Sequence, residues 1–126
     1  MRVFKNKWFT RFSGKEGIDD QKLCEVLQAA EQGLIDADLG GGVIKQRVAR
    51  PGGGKSGGYR TIILYRKADL AFFVFGFPKS ERDNITRDEL RGFKDLAKTM
   101  LGMTQAQIDK LIKAGHLEEV TCDEQK

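Results

Sequence analysis

Five cations, Lys45, Arg47, Arg60, Lys79 and Arg82, fall on or beside three strand-like runs of this 126-residue chain. Cations gathered without acids suit one task above others, the binding of phosphate. Arginine offers a planar fork that matches two oxygens, and lysine a compact charge. Between Leu39 and Ala68 there are seven positive residues (Lys45, Arg47, Arg50, Lys55, Arg60, Arg66, Lys67) and no Asp or Glu. The whole chain carries only +4, so the remainder holds 15 Lys and Arg against 18 Asp and Glu. Positive charge is thus concentrated on one stretch, the footprint expected of a phosphate-rich partner. Arg50, Lys55 and Arg66 extend the candidate RNA-binding patch. Tyr59 and Tyr65 add flat rings on which an unpaired base could stack. The bland alternatives are a solvated basic face and, for the tyrosines, core packing.

Other chemistries find less support. Ala49-Arg50-Pro51-Gly52-Gly53-Gly54-Lys55-Ser56 fits a relaxed phosphate-binding loop, but that motif needs a helix directly after its lysine. Here Gly57-Gly58-Tyr59 leads into a β-branched run, so nucleotide hydrolysis is not expected. His116, the sole histidine, sits just past a helix end without partners for general-base work. The carboxylates are scattered, with no pair spaced for glycosidase or two-metal chemistry. Cys24 and Cys122 are too few for a disulfide framework and are not spaced for metal. No metal or cofactor is expected, and Cys24 reads as a small buried hydrophobe.

The elements that must position the cations follow from periodicity. At 40% hydrophobic and 32% charged, the chain reads as one soluble globular domain over 1–126, with 121–126 as a frayed tail. No apolar run approaches the ~20 residues of a membrane span. The N-terminus has no apolar core of a signal peptide, so a cytoplasmic location is the expectation. Residues 2–12 mix aromatic and basic residues and predict a first strand, although Phe4, Trp8 and Phe12 also fit a helix. Leu23, Val26, Leu27, Ala30 and Leu34 give one helical stripe after a cap at Asp19 or Asp20, with Gly33 as its stop. Strands are predicted at 43–49, 59–65 and 70–77, the first placing Ile44 and Val48 on one face and Lys45 and Arg47 on the other. A glycine-rich loop over 51–58 joins the first two. Thr86-Arg87-Asp88-Glu89 and Thr104-Gln105-Ala106-Gln107 are capping boxes that open two more helices. Residues 117–120 read as a short edge strand. The expected fold is α+β: a small antiparallel sheet in β-α-β-β-β-α-α order with helices packed against it.

Three segments have a familiar pattern: Ile44-Lys45-Gln46-Arg47, Ser56-Gly57-Gly58-Tyr59-Arg60-Thr61-Ile62-Ile63-Leu64-Tyr65, and Gly76-Phe77-Pro78-Lys79-Ser80-Glu81-Arg82-Asp83-Asn84. Over residues 2–102 the chain resembles the RelE toxins of bacterial toxin–antitoxin systems. It is most similar to the longer, HigB-like branch. The resemblance implies a ribosome-dependent mRNA endonuclease, neutralised by a co-transcribed antitoxin of helix-turn-helix type that brings the pair to operator DNA. By position, Lys45 and Arg47 match the family's paired basic residues. Arg60 matches the arginine that stabilises the scissile phosphate, and Lys79 and Arg82 match the basic cluster after the fourth strand. Ser80 stands where the best-known member has an arginine for the leaving group, so the resemblance implies either that Arg82 takes this role or that the activity is weaker.

The expected reaction is attack of a ribose 2′-OH on the adjacent phosphodiester, positioned by the ribosome. A lysine crowded by other cations gives up its proton more readily, which makes Lys45 or Lys79 the candidate base. Arg47 and Arg60 would hold the phosphate and its developing charge. The rivals are a ParE-like toxin of the same fold acting on gyrase, and a non-catalytic nucleic-acid-binding protein that uses the patch for phosphate contacts alone.

Overall fold

The structure, a computed structural model, describes residues 1–50 and 57–122. Its elements are β1 (Arg2–Asn6), α1 (Lys7–Glu16), α2 (Asp20–Glu31), β2 (Ala37–Gly40), β3 (Val43–Val48), β4 (Tyr59–Arg66), β5 (Leu70–Pro78), α3 (Arg87–Met100), α4 (Gln105–Lys113) and β6 (Leu117–Val120). The strands form one sheet in the order β2-β3-β4-β5-β1-β6. The expected antiparallel meander is β3-β4-β5. β1 lies parallel to β5, and β6 returns antiparallel to β1 as an edge strand.

Strand alternation sorts the side chains into two cores. On one face Phe9 and Phe12 of α1 and Leu23, Val26, Leu27 and Ala30 of α2 pack on Ile44, Val48, Ile63 and Phe73. On the other, Ala97 and Met100 of α3, with Leu101 and Ile108, pack on Val43, Ile62, Leu64 and Phe72. Helices on both faces explain why β4 and β5 are apolar almost without interruption, since a strand covered twice has no side to leave polar.

Two expectations about local structure are corrected. Residues 2–12 are not one strand: the Asn6 side chain accepts the Phe9 N–H at 2.8 Å and starts α1, so Trp8 and Phe12 share a helical face. The stripe on α2 ends before Leu34, because the helix closes at Gln32 and Gly33 turns out at φ 89°, leaving Leu34 exposed. Both capping boxes form, Thr86 with Glu89 and Thr104 with Gln107.

The cysteine reading is corrected as well. Cys24 and Cys122 are joined in a disulfide, with their Cα atoms 5.6 Å apart. The β1–β6 pairing carries the C-terminal segment back beside α2, which closes a separation of 98 residues that looks prohibitive along the chain.

Candidate phosphate-binding site

The alternation that builds the two cores also places the cations. Lys45 and Arg47 on β3 and Arg60 on β4 occupy the face covered by α3, beyond the part that helix reaches. Arg47 pairs directly with Arg60 across the two strands, and Arg60 with Phe77 on β5. Lys45, Arg47 and Arg60, with Asp36 and Ala37, line a hollow of about 230 Å³.

Arg60 is the floor of this hollow. Its residue surface is 9% exposed, and its Nη1 donates only to its neighbour's carbonyl, Tyr59 O, at 3.4 Å. Among the described residues no carboxylate lies within ion-pairing distance of it. A cation removed from water without an anion is costly, so such a group favours whatever anion can enter. Arg47 is differently placed. Asp36 accepts its backbone N–H at 2.6 Å and pairs with its guanidinium at 3.4 Å, which leaves half the Arg47 side chain exposed toward the hollow.

The loop after β5 reaches Lys45 from beside the hollow, although none of its residues lines it. Lys45 Nζ donates to Asn84 Oδ1 at 3.1 Å, and Arg82 Nε donates to Asn84 O at 3.1 Å, so one asparagine links two of the sequence-predicted residues. The Arg82 guanidinium stacks over Phe75 and Phe77, 5.7 and 5.2 Å from their ring centres, and is ion-paired to Glu89. Glu89 also accepts the Thr86 N–H at 2.7 Å. The Arg82 hydrogen bond, and after it the Thr86 amide, hold the Glu89 carboxyl below the usual carboxylate range. Arg82 is thus held in place next to Asn84, outside the residues that line the hollow. Its fork is occupied, which argues against the leaving-group role the sequence assigned to it. Lys79 heads the turn after Pro78 at the same end of the sheet, its N–H donating to Gly58 O at 3.0 Å. Its amine makes no ion pair among the described residues.

Glycine at 58 is required by this corner. A Cβ there would lie 2.1 Å from Val48 O, closer than any side chain tolerates. The close approach brings the ends of β3 and β4 together and so sets Arg47 against Arg60.

The remaining candidates lie elsewhere. Tyr59 faces the α1 side, packs edge-on to Phe12 and donates to Glu16; burial first, then Glu16, raises its pKa. Arg50 lies over that same ring, 5.6 Å from its centre. Tyr65 is buried and donates to Glu31. Neither tyrosine offers a free face to a base, because odd-numbered residues of β4 point away from the hollow. Arg66 sits six residues from Arg60, about 20 Å along the strand, and is paired with Asp69. Lys55 and most of the glycine-rich loop lie outside the described residues. The chain re-enters at Gly57 and passes into a strand antiparallel to β3, a hairpin rather than the strand–loop–helix of nucleotide-binding loops.

Asp36, Asn84 and Glu89 are site neighbours that sequence pattern alone does not mark: Asp36 carries no signal, Asn84 stands in the resemblance motif, and Glu89 reads as a helix cap.

With the sheet, the hairpin and the basic hollow in place, the comparison with known families is decisive. A protein-family model described as "RelE toxin of RelE / RelB toxin-antitoxin system" matches residues 1–120. The chain belongs to the RelE toxin family. A search of curated proteins returns no match. As a RelE-family toxin the protein has a cognate antitoxin for a partner, and its six-stranded α+β architecture fits that family. No helix among the described residues is long and apolar enough to cross a membrane.

Proposed function

We propose that this RelE toxin cleaves mRNA on the ribosome, by attack of a ribose 2′-OH on the neighbouring phosphodiester. The observation that carries the reading is Arg60, a buried cation without an anionic partner among the described residues, facing a hollow shared with Arg47 and Lys45. A phosphate seated there meets the Arg60 guanidinium, unpaired among the described residues, and, on the adjacent strand, that of Arg47, which it shares with Asp36. They favour the extra negative charge that develops as the phosphorus becomes five-coordinate. Lys45, steadied by Asn84, removes the 2′ proton, with Lys79 as the second candidate base. The 2′ oxygen then bonds to phosphorus, the bond from phosphorus to the 5′ oxygen breaks, and water supplies the proton that completes the 5′-hydroxyl. The products are a 2′,3′-cyclic phosphate and a 5′-hydroxyl end.

Arg82, neutralised by Glu89, positions Asn84 and through it Lys45 and gives up no proton. The ribosome supplies the alignment of 2′ oxygen, phosphorus and 5′ oxygen that a shallow site cannot impose alone. In this reading the protein is a HigB-like mRNA interferase of the cytoplasm, where reducing conditions oppose the Cys24–Cys122 bond and the site on the other sheet face works without it. A small helix-turn-helix antitoxin neutralises the toxin and carries the complex to operator DNA.

The test is cleavage of a reporter mRNA in a reconstituted translation reaction. Arg60→Ala is expected to lower the cleavage rate by about 10²–10³-fold, the usual cost of removing one transition-state donor. A binding protein without catalysis would leave the mRNA whole in every variant. A gyrase-directed toxin would leave it whole and raise DNA-damage signals in cells.

A further inference from the structure

Trp8 is the largest side chain of α1, yet it is 41% exposed. It lies where β5 loses its neighbour: β1 pairs with β5 only as far as Lys5 opposite Phe73, and Asn6 Nδ2 then caps Val74 O at 3.2 Å. Past that point the indole covers the strand edge, with Phe12 at 5.2 Å on the α1 side of the sheet and Phe75 at 4.7 Å on the α3 side. Phe75 is no distant neighbour of the basic hollow. It lies under Arg82, and on its sheet face it is the diagonal neighbour of Arg60, about 7–8 Å away by strand geometry. A path of rings therefore runs from the phosphate-binding floor out to an exposed indole.

The nearest charges on α1 are positive, and the hollow that Lys7 and Arg11 border is also lined by Glu118 and Glu119. α1 carries no acid in its first turn, and Lys7 and Arg11 flank Trp8, with Arg11 one helical turn on. Neither cation forms an ion pair among the described residues. Cations beside a partly exposed aromatic ring are the arrangement that holds single-stranded nucleic acid, the charges following the backbone and the ring receiving a base.

We propose that the exposed surface of the Trp8 indole seats an unpaired RNA base, next to the nucleotide whose phosphate Arg60 and Arg47 hold. The inference rests on the RNA-cleaving reading and adds a base-binding residue to it. Stacking tolerates any base, so Trp8 contributes affinity and position rather than sequence preference.

The test uses the whole chain, labelled with ¹⁵N, and a 2′-O-methyl RNA hexanucleotide that cannot be cleaved. Trp8 is the single tryptophan, so the spectrum holds one indole N–H signal. The expected result is that this signal and the Arg47 and Arg60 amides move together along one binding curve. Trp8→Phe, which still covers the strand edge, should keep affinity within about threefold, and Trp8→Ala should lose roughly tenfold. If the strand amides move while the indole stays fixed, the base seat is refuted and the phosphate site stands. If nothing moves, the RNA-binding reading fails and the inference falls with it.

Discussion

A guanidinium buried at the end of a sheet with no acid to meet it is a liability to folding, and Arg60 is such a group. Apolar replacement of a buried ionic residue often stabilises a protein, and sites kept for activity are where that exchange is left unmade. Arg60→Met fills the same volume beside Phe77. It is expected to raise stability by about 1 kcal/mol, equivalent to roughly 3–5 °C in Tm for a chain of this size, while abolishing cleavage. Thermal unfolding followed by circular dichroism checks the first part; an unchanged or lowered Tm would show that Arg60 holds the fold together. At this scale the sequence was informative about the strands and poor about partners. Alternation placed Lys45 and Arg47 on one face correctly, because a period of two leaves a half-covered strand no choice. The same rule, applied to β4, turns Tyr59 and Tyr65 inward. Which acid meets which cation was not legible, since Asp36 and Arg47 meet only after β2 has folded against β3.

The helices show how one element can serve two ends. α3 and α4 open with the same capping box, but the third helical position is Glu89 in one and Gln107 in the other. Gln is sufficient for the cap, as α4 shows, so the charge at Glu89 has a separate use, the holding of Arg82 over Phe75 and Phe77. Glu89→Gln is therefore expected to keep α3 intact while loosening Arg82, with cleavage reduced and the helix signal unchanged. It also changes the response to acid. A carboxyl whose folded pKa is depressed contributes stability at pH values above its unfolded pKa, and that stability is lost as pH falls through the folded value. The wild-type protein should thus lose stability from about pH 5 downward as Glu89, Glu31 and Glu119 take up protons, all three being held low by hydrogen bonds. The Glu89→Gln variant should show a shallower fall, a modest difference because the group is about a third exposed. Equal slopes in Tm against pH would contradict the ion pair.

Gly58→Ala tests the hairpin corner. The new methyl would meet Val48 O, so β3 and β4 must separate, and a loss of about 1–3 kcal/mol is expected together with lost cleavage. The capping boxes made α3 and α4 readable in advance. α1 was not, because aromatic residues at 4, 8 and 12 suit either period. β2 is a four-residue run ending in glycine that has no pattern of its own.

At the scale of the molecule, the sheet depends on returns between distant parts of the chain. β1 enters parallel to β5, β6 closes on β1, and the Cys24–Cys122 bond fixes that return to α2. Such pairings leave no trace in local periodicity, which is why the α+β class was legible and the order of strands was not. Closing a loop of this length restricts the unfolded chain, by about 4–5 kcal/mol in the entropic account. The bond lies against the α1–α2 core, on the opposite side of the sheet from the basic hollow. Reduction should therefore lower Tm by roughly 12–25 °C in the entropic account and leave cleavage intact. The Cys24→Ser, Cys122→Ser double variant should match the reduced protein and ignore reductant. A variant whose Tm still falls with reductant would show that the bond is not the cause.

The claim on which all of this depends is that the hollow of Lys45, Arg47 and Arg60 cuts RNA. It is tested most directly by mapping mRNA ends in bacteria shortly after the protein is induced during active translation. The account predicts new 5′-hydroxyl ends inside translated reading frames with wild-type protein and about a hundredfold fewer, or fewer still, with Arg60→Ala at equal expression. Growth arrest with intact mRNA, or undiminished cutting by Arg60→Ala, would contradict it.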